Sequence, residues 1–338
     1  MKVLITGAAG FIGSHLAEDL ASNGHSVRCL YREGDDTSFL SPLGCELIKG
    51  DLNDAASLKK AVDGMERVYH LAALSRYDAS LPDEVYYKIN AKATEDLLEL
   101  SINSGVDTFV YISSIEGRGL STDGKPLTEK SPSNPRNIYG KTKYEGEVIC
   151  REYAKKNKIK VKIVITPTTY GPREYLIMQR IFRPVSKGFF VLFGKGDALI
   201  EFCYIKNQIM GMKLIADNGI SGESYIISDE RSYQFKEVIK EMAKCMNKKI
   251  FLLKIPYVVA WLMAVFFEAA SKIFKFYPFF VKETGRPPIS RPTLQWAAKS
   301  AIFCDISKAR DELGYVPIYS LAEGMKETID WYRENGYL

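Results

Sequence analysis

The chain predicts an α/β fold, a doubly wound parallel sheet followed by a smaller, mostly α-helical C-terminal substrate-binding region. Three observations carry that expectation. Short β-branched or apolar runs alternate with longer amphipathic stretches as far as about residue 170, the rhythm of βαβ units. A G-x-x-G-x-x-G stretch joins the first run to the first amphipathic stretch. After Pro172 the rhythm gives way to shorter elements rich in aromatics and lysine. The expected division is a dinucleotide-binding domain over 1–170 and a substrate-binding region over 171–338, with their cleft at the carboxyl ends of the strands.

The first strand candidate, 2–6, runs into Gly7-Ala8-Ala9-Gly10-Phe11-Ile12-Gly13. Glycine at those three positions allows a tight turn, a close approach of backbone to a pyrophosphate, and a helix seated on the strand. The free N–H groups at the helix start then hold the negative charge, as in a Rossmann-type site. Strand 26–31 ends Leu30-Tyr31-Arg32. An NAD site places an acid there for the ribose hydroxyls, whereas Arg32 suits a 2′-phosphate. NADP is therefore favoured, and NAD stays open through Glu33 or Asp35. Strands 45–49 and 67–71 end at Gly50-Asp51-Leu52 and His70-Leu71-Ala72-Ala73, beside the same cleft. Ala72 and Ala73 admit a cofactor closely. Asp51 is placed to accept from an adenine amino group, although capping of the helix near Ala55 is an equal use of that turn through Asn53-Asp54.

Strand 107–112 continues into Ser113-Ser114. A hydroxyl at the end of a central strand can donate to the substrate oxygen that changes charge during hydride transfer, and Ser114 is chosen for that role, with Ser113 positioning its neighbour. The run from Asn137 opens a helix that sets Tyr139 and Lys143 four apart, on one face. A tyrosine titrates near ~10, so proton exchange near neutrality requires about 4 kcal/mol of preference for the phenolate. Lys143 and an oxidised nicotinamide can supply it together. Strand 160–166 is the sixth and last candidate.

These motifs, with Pro167-Thr168-Thr169-Tyr170-Gly171-Pro172-Arg173, resemble the extended short-chain dehydrogenase/reductase family in order and spacing. The resemblance implies that Ser114, Tyr139 and Lys143 match the catalytic Ser, Tyr and Lys. It also implies that Asn90 matches the asparagine before a long dimer-forming helix, and that Pro167 and Thr168 border the nicotinamide. Members acting on nucleotide sugars usually carry an arginine where this chain has Leu199 and Ile200, and the dehydratases an Asp-Glu pair where it has Ile115 and Glu116. Asn207 and the apolar stretch from Ile255 to Phe267 look like the 3β-hydroxysteroid dehydrogenase and dihydroflavonol reductase branch. What this implies is an NAD(P)-dependent oxidoreductase interconverting a secondary alcohol and a ketone on a bulky hydrophobic molecule. Two readings stand beside it: a nucleotide-sugar epimerase that keeps its NAD, and a non-enzymatic cofactor-binding regulator, which would be expected to have lost one of the three catalytic groups.

With 338 residues, 46% of them hydrophobic, the chain can bury a full core. A formal charge of +5, spread along the sequence, is too mild to imply nucleic acid. Six cysteines at least sixteen residues apart and three histidines offer neither a metal site nor a disulfide framework, and no leader precedes Lys2, so a reduced, cytoplasmic chain is expected. Leu97, Leu98, Val148 and Ile149 are expected on a homodimer face, a pattern that covering the sheet also explains. The uncharged run 255–267 is too short for a bilayer span of about 20 residues. With Phe274, Phe276, Phe279 and Phe280 after it, it reads either as a core helix or as a helix over the substrate mouth that makes peripheral membrane contact through 255–280.

Overall fold

A computed structural model describes residues 1–75, 81–175, 177–274, 289–291, 294 and 301–338. Six strands occupy the expected places: β1 (Lys2–Thr6), β2 (Ser26–Tyr31), β3 (Glu46–Lys49), β4 (Arg67–His70), β5 (Thr108–Ser114) and β6 (Lys160–Thr166). Between them lie α1 (Phe11–Ser22), α2 (Ala55–Val62), α3 (Asp83–Tyr87), α4 (Ala93–Asn103) and α5 (Ile138–Lys155). The later chain adds short strands β7 (Thr168–Tyr170), β8 (Phe189–Phe193), β9 (Leu199–Ile200), β10 (Phe202–Tyr204), β11 (Ser224–Ile226), β12 (Tyr233–Gln234), β13 (Phe251–Ile255) and β14 (Ala301–Ile302). Its helices are α6 (Met178–Ser186), α7 (Ile205–Asn218), α8 (Phe235–Cys245), α9 (Tyr257–Phe274) and two more over Ser307–Leu313 and Leu321–Glu334.

The main sheet is wholly parallel, in the order β11-β6-β5-β4-β1-β2-β3. The chain winds outward from β1 in one direction and then, from β4, in the other. This leaves a crevice at the carboxyl ends of β1 and β4, where such sheets bind ligands. The seventh strand, β11, comes from beyond residue 170, so the second half of the chain helps to build the sheet of the first.

A chain of paired polar groups is buried at the crevice. The Ala72 N–H donates to Thr6 Oγ1 at 3.2 Å, Thr6 Oγ1 lies 2.7 Å from His70 Nδ1, His70 Nε2 lies 3.0 Å from Thr94 Oγ1, and Thr94 donates to the Asn90 carbonyl at 2.8 Å. Because Thr94 spends its proton on Asn90, it accepts from His70 Nε2–H, and His70 Nδ1 accepts from Thr6. Burial and the nearby Lys143 pull the His70 pKa down to about 3, so this imidazole is a neutral strut between β1, β4 and α4.

Every residue of β5 is buried, and α5 lies very close to it. A Cβ on Gly146 would stand 2.1 Å from the Tyr111 hydroxyl oxygen, and that hydroxyl donates to the Lys143 carbonyl at 3.1 Å. On helix propensity alone, Gly146→Ala should stabilise α5 by about 1 kcal/mol. The collision with Tyr111 reverses the sign: the variant should lose about 1–3 kcal/mol, read as a lower urea midpoint at unchanged slope.

Candidate active site

A cavity of about 750 Å³ opens at the crevice. Of the residues singled out in the sequence, it is lined by Gly7, Gly10, Phe11, Ile12, Gly13, Arg32, Asp51, Leu52, Ala72, Ala73, Tyr139 and Lys143. Ser114, Asn90, Pro167 and Thr168 are not among the lining residues. Ser114 is buried behind the wall and hydrogen-bonded to Tyr139. Thr166, two residues before Thr168, takes the place expected of Pro167 and Thr168 on the wall, with its hydroxyl on the Ser113 carbonyl at 3.0 Å. Asn90 is buried: its Oδ1 accepts the Leu74 N–H at 2.7 Å, and its Nδ2 donates to the Leu74 carbonyl and to Thr142 Oγ1 at 3.2 and 3.0 Å. It ties the loop after β4 to α5, and so shapes the wall through Leu74.

The glycine turn is shaped for close contact. Gly7 has φ +71°, and a Cβ there would come within 2.8 Å of the Ala72 nitrogen. One on Gly13 would come within 2.1 Å of the Gly7 carbonyl oxygen. Gly10 caps α1 with no side chain, and the first turn holds no acid, so its N–H groups keep their positive end for a ligand. This cradle, facing the cavity, fits the pyrophosphate of a dinucleotide.

At the rim, the Arg32 side chain is 65% exposed and lies 3.7 Å from the Asp35 carboxylate, which also accepts the Arg32 backbone N–H at 2.8 Å. Asp35 lines the cavity, whereas Glu33 points away to Lys49 at 2.8 Å. Asp51 lines the cavity but gives one oxygen to Asn53, at 2.8 Å from its N–H and 2.9 Å from its Nδ2. Capping of α2 falls to Asp54, which accepts the Ala56 N–H at 3.0 Å.

At the chemical end, Tyr139 and Lys143 share the cavity wall. Burial pushes the Tyr139 phenol up to about 12, against the pull of its hydrogen bond with Ser114, and the Glu116 carboxylate adds to the rise. Burial pulls the Lys143 ammonium down to about 7, opposed by Cys150 and Glu147. Its Nζ sits 4.2 Å from the centre of the Tyr111 ring, a cation–π contact that supports the charged form. Glu147, one turn beyond Lys143 and fully buried, accepts from Ser113 Oγ at 2.5 Å, from Arg118 at 3.1 and 2.7 Å, and from Arg151 at 2.8 Å. Tyr111, Glu147 and Arg118 were not singled out in the sequence. The third acidic or basic group at a four-residue spacing, Tyr139-Lys143-Glu147, was the available signal.

The sequence profile of the NAD dependent epimerase/dehydratase family matches residues 3–228, more than half of the chain. The chain belongs to that family. It is an enzyme of the extended short-chain dehydrogenase/reductase type, and the family is NAD-dependent. Its relatives include an N-acetyl-alpha-D-glucosaminyl-diphospho-ditrans,octacis-undecaprenol 4-epimerase of Escherichia coli, 27% identical over 98% of this chain and 95% of that protein. A 3 beta-hydroxysteroid dehydrogenase/Delta 5→4-isomerase of Mycobacterium tuberculosis is 28% identical over 98% of this chain and 90% of that one. Among solved structures, a dTDP-glucose 4,6-dehydratase from Streptomyces venezuelae with NAD bound superposes with a TM-score of 0.76 at 25% identity, covering 99% of this chain and 98% of that one.

The buried lysine has a stability consequence with a definite sign. An unfolded lysine titrates near ~10.4 and the folded one at about 7, so the fold carries a penalty for the ammonium that is full below pH 7 and fades as pH rises toward the unfolded value. In the cofactor-free protein, Lys143→Met should therefore be more stable than wild type by about 1–4 kcal/mol at pH 6, with the gain shrinking toward pH 10. Urea titrations across that range read it, and a gain that grew with pH would contradict the assignment.

Proposed function

We propose that this enzyme interconverts a secondary alcohol and a ketone on a bulky hydrophobic molecule, steroid-, flavonoid- or lipid-like, with NADP as its preferred cofactor. The observation that carries the reading is that Tyr139 and Lys143 line the same cavity as the glycine cradle, with Ser114 hydrogen-bonded to Tyr139 from behind the wall. A bound nicotinamide supplies or takes the hydride. In reduction, the Tyr139 O–H passes its proton to the substrate oxygen, and in oxidation the phenolate takes it back. Ser114 donates a hydrogen bond to that oxygen as its charge changes. Lys143, held over Tyr111, favours the phenolate through its charge.

Two features argue against sugar dehydration and diphosphate binding. Glu116 is engaged by Asn137 Nδ2 at 3.2 Å and Arg136 at 3.8 Å, and Leu199 and Ile200 of β9 bring no cation. Asn207 is buried and donates to Asp229 at 2.7 Å, where an aspartate would face a second carboxylate. Of the named proteins, the steroid dehydrogenase and the epimerase of a diphospho-undecaprenol-linked sugar both have a name that includes a large apolar group, which supports a bulky apolar substrate. The second of them also favours the other reading, an epimerase that keeps NAD and uses the same three groups. Net gain or loss of reduced nicotinamide during turnover separates the two.

A homodimer through α5 is part of the proposal in altered form. Leu97 and Leu98 are fully buried under the sheet and Ile149 is half-buried, which leaves Val148 as the exposed apolar residue of the expected face.

Tyr139→Phe should keep cofactor affinity and the fold but lose most turnover, given the ~10²–10⁴-fold that general acid–base catalysis supplies. Retention of more than about a tenth of wild-type kcat would remove Tyr139 from its role. Arg32→Ala should weaken NADPH binding at least about tenfold while leaving NADH nearly unchanged, measured by nucleotide fluorescence, because only NADPH carries the phosphate. Equal losses for both would make Arg32 structural.

A further inference from the structure

The second half of the chain carries an apolar surface apart from the active-site cavity. β13 pairs in parallel with β8, setting Phe251 opposite Phe189, Leu253 opposite Val191 and Ile255 opposite Phe193. Alternate residues of a strand share a face, so these six side chains lie on one face of the ribbon. Phe190, Leu192 and Leu252, on the other face, pack into the main core. At one end, Phe193 and Ile255 pack with Tyr257, Ala260 and Ala264 of α9. At the other, Phe189 and Phe251 stack with ring centroids 6.0 Å apart, both of them exposed.

α9 inverts the usual order of a surface helix. Its small residues Ala260 and Ala264 are buried, while Val258, Leu262 and Phe266, four apart and hence on one face, are 68, 58 and 67% exposed, with Val259 and Trp261 exposed beside them. Phe267, by contrast, is half-buried. Phe274 lies in α9 without a described side chain, and Phe276, Phe279 and Phe280 lie outside the described residues. No described helix is long and apolar enough to cross a membrane.

The ribbon end with the phenylalanine pair is basic. The Gly188 carbonyl accepts the Phe251 N–H at 2.8 Å, and a Cβ on Gly188 would meet the Lys249 carbonyl at 2.9 Å, so the backbones of Lys187, Lys248 and Lys249 lie at this end of the ribbon. All three are exposed, and among the described residues none pairs with a carboxylate. Interfaces between protein copies are depleted of charge at their centre, whereas exposed aromatics framed by lysines match the boundary of an anionic bilayer.

We propose that this surface seats on a membrane with anionic headgroups, the outer face of α9 and the Phe189–Phe251 pair entering the acyl boundary and the three lysines lying at the phosphates. The inference does not depend on the identity of the substrate. It is tested by co-sedimentation of the full chain with vesicles of phosphatidylcholine and of a phosphatidylcholine–phosphatidylglycerol mixture. Wild type should bind the mixed vesicles several-fold better than the neutral ones. A Leu262→Glu, Phe266→Glu variant should lose about tenfold or more of that binding, and Lys187→Gln, Lys248→Gln, Lys249→Gln should abolish the preference for the anionic lipid. NADPH binding serves as the control for folding, and Leu262→Ser, Phe266→Ser replaces the acidic variant if that one fails it. Wild type that sediments with neither vesicle, or variants that sediment like wild type, would overturn the proposal. So would a dimer that falls to monomer on Leu262→Glu with no lipid binding, which would assign the face to a second copy.

Discussion

The geometry of the candidate site depends on one buried carboxylate. Glu147 has no exposed surface, and an unpaired charge there would be severely destabilising. Its two oxygens accept from Ser113, from both terminal nitrogens of the buried Arg118 and from Arg151, so the charge is neutralised and its lone pairs are used. Because Glu147 lies eight residues after Tyr139 on the same helix face, and Ser113 adjoins Ser114 at the end of β5, this contact sets the distance between the serine hydroxyl and the phenol. Arg118 reaches it from the loop after β5, with its guanidinium also 5.0 Å from the Tyr144 ring centre. Three segments distant in sequence thus meet at one charge, and a shift of any of them would move the reacting groups.

The cofactor side depends on a different principle, the exclusion of side chains. Gly7 and Gly13 fold the turn so tightly that any Cβ would strike backbone, and backbone cannot move aside as a flexible side chain can. The opposite wall is fixed by hydrogen bonds: Thr6 holds the Ala72 N–H, and Asn90 holds both polar groups of Leu74. His70 connects these two supports through Thr6 and Thr94. The same asparagine bonds Thr142, one residue before Lys143, so the loop after β4 and α5 are tied by one side chain.

Much of this was legible in the sequence, and the reasons for the gaps are physical. The six strands of the first half could be read because the central ones, β1, β5 and β6, are buried over nearly their whole length and so are largely apolar, and because the others recur in the same βαβ rhythm. β11 could not, since three residues carry no period and its place beside β6 is set by tertiary packing alone. That Ser114, Tyr139 and Lys143 would lie near one another was legible because spacing on a strand end and a helix face is a local property. For Glu147 the four-residue spacing from Lys143 was visible but its burial was not, because a glutamate in a helix ordinarily faces water, and only the arrival of Arg118 from another segment makes burial tolerable. Leu97 and Leu98 show the converse: an apolar pair at helical spacing has the same sequence whether it meets a partner copy or its own sheet. Asn90 was legible as a position, but its role was not, because a buried amide and a ligand-facing amide are the same residue until its partners are seen.

The proton arrangement of the site without cofactor bears on how the reaction is driven. Burial acts on both titrating groups in the direction that removes charge, raising the Tyr139 phenol to about 12 and lowering the Lys143 ammonium to about 7. The resting site therefore holds the proton on Tyr139, the form that the proposed ketone reduction would start from. The proposed alcohol oxidation would start from the phenolate, which Lys143 alone, half-charged near neutrality, supports only in part. A bound oxidised nicotinamide would add positive charge beside the pair, so under the proposed mechanism the same two buried groups would serve both directions without a movement of the protein.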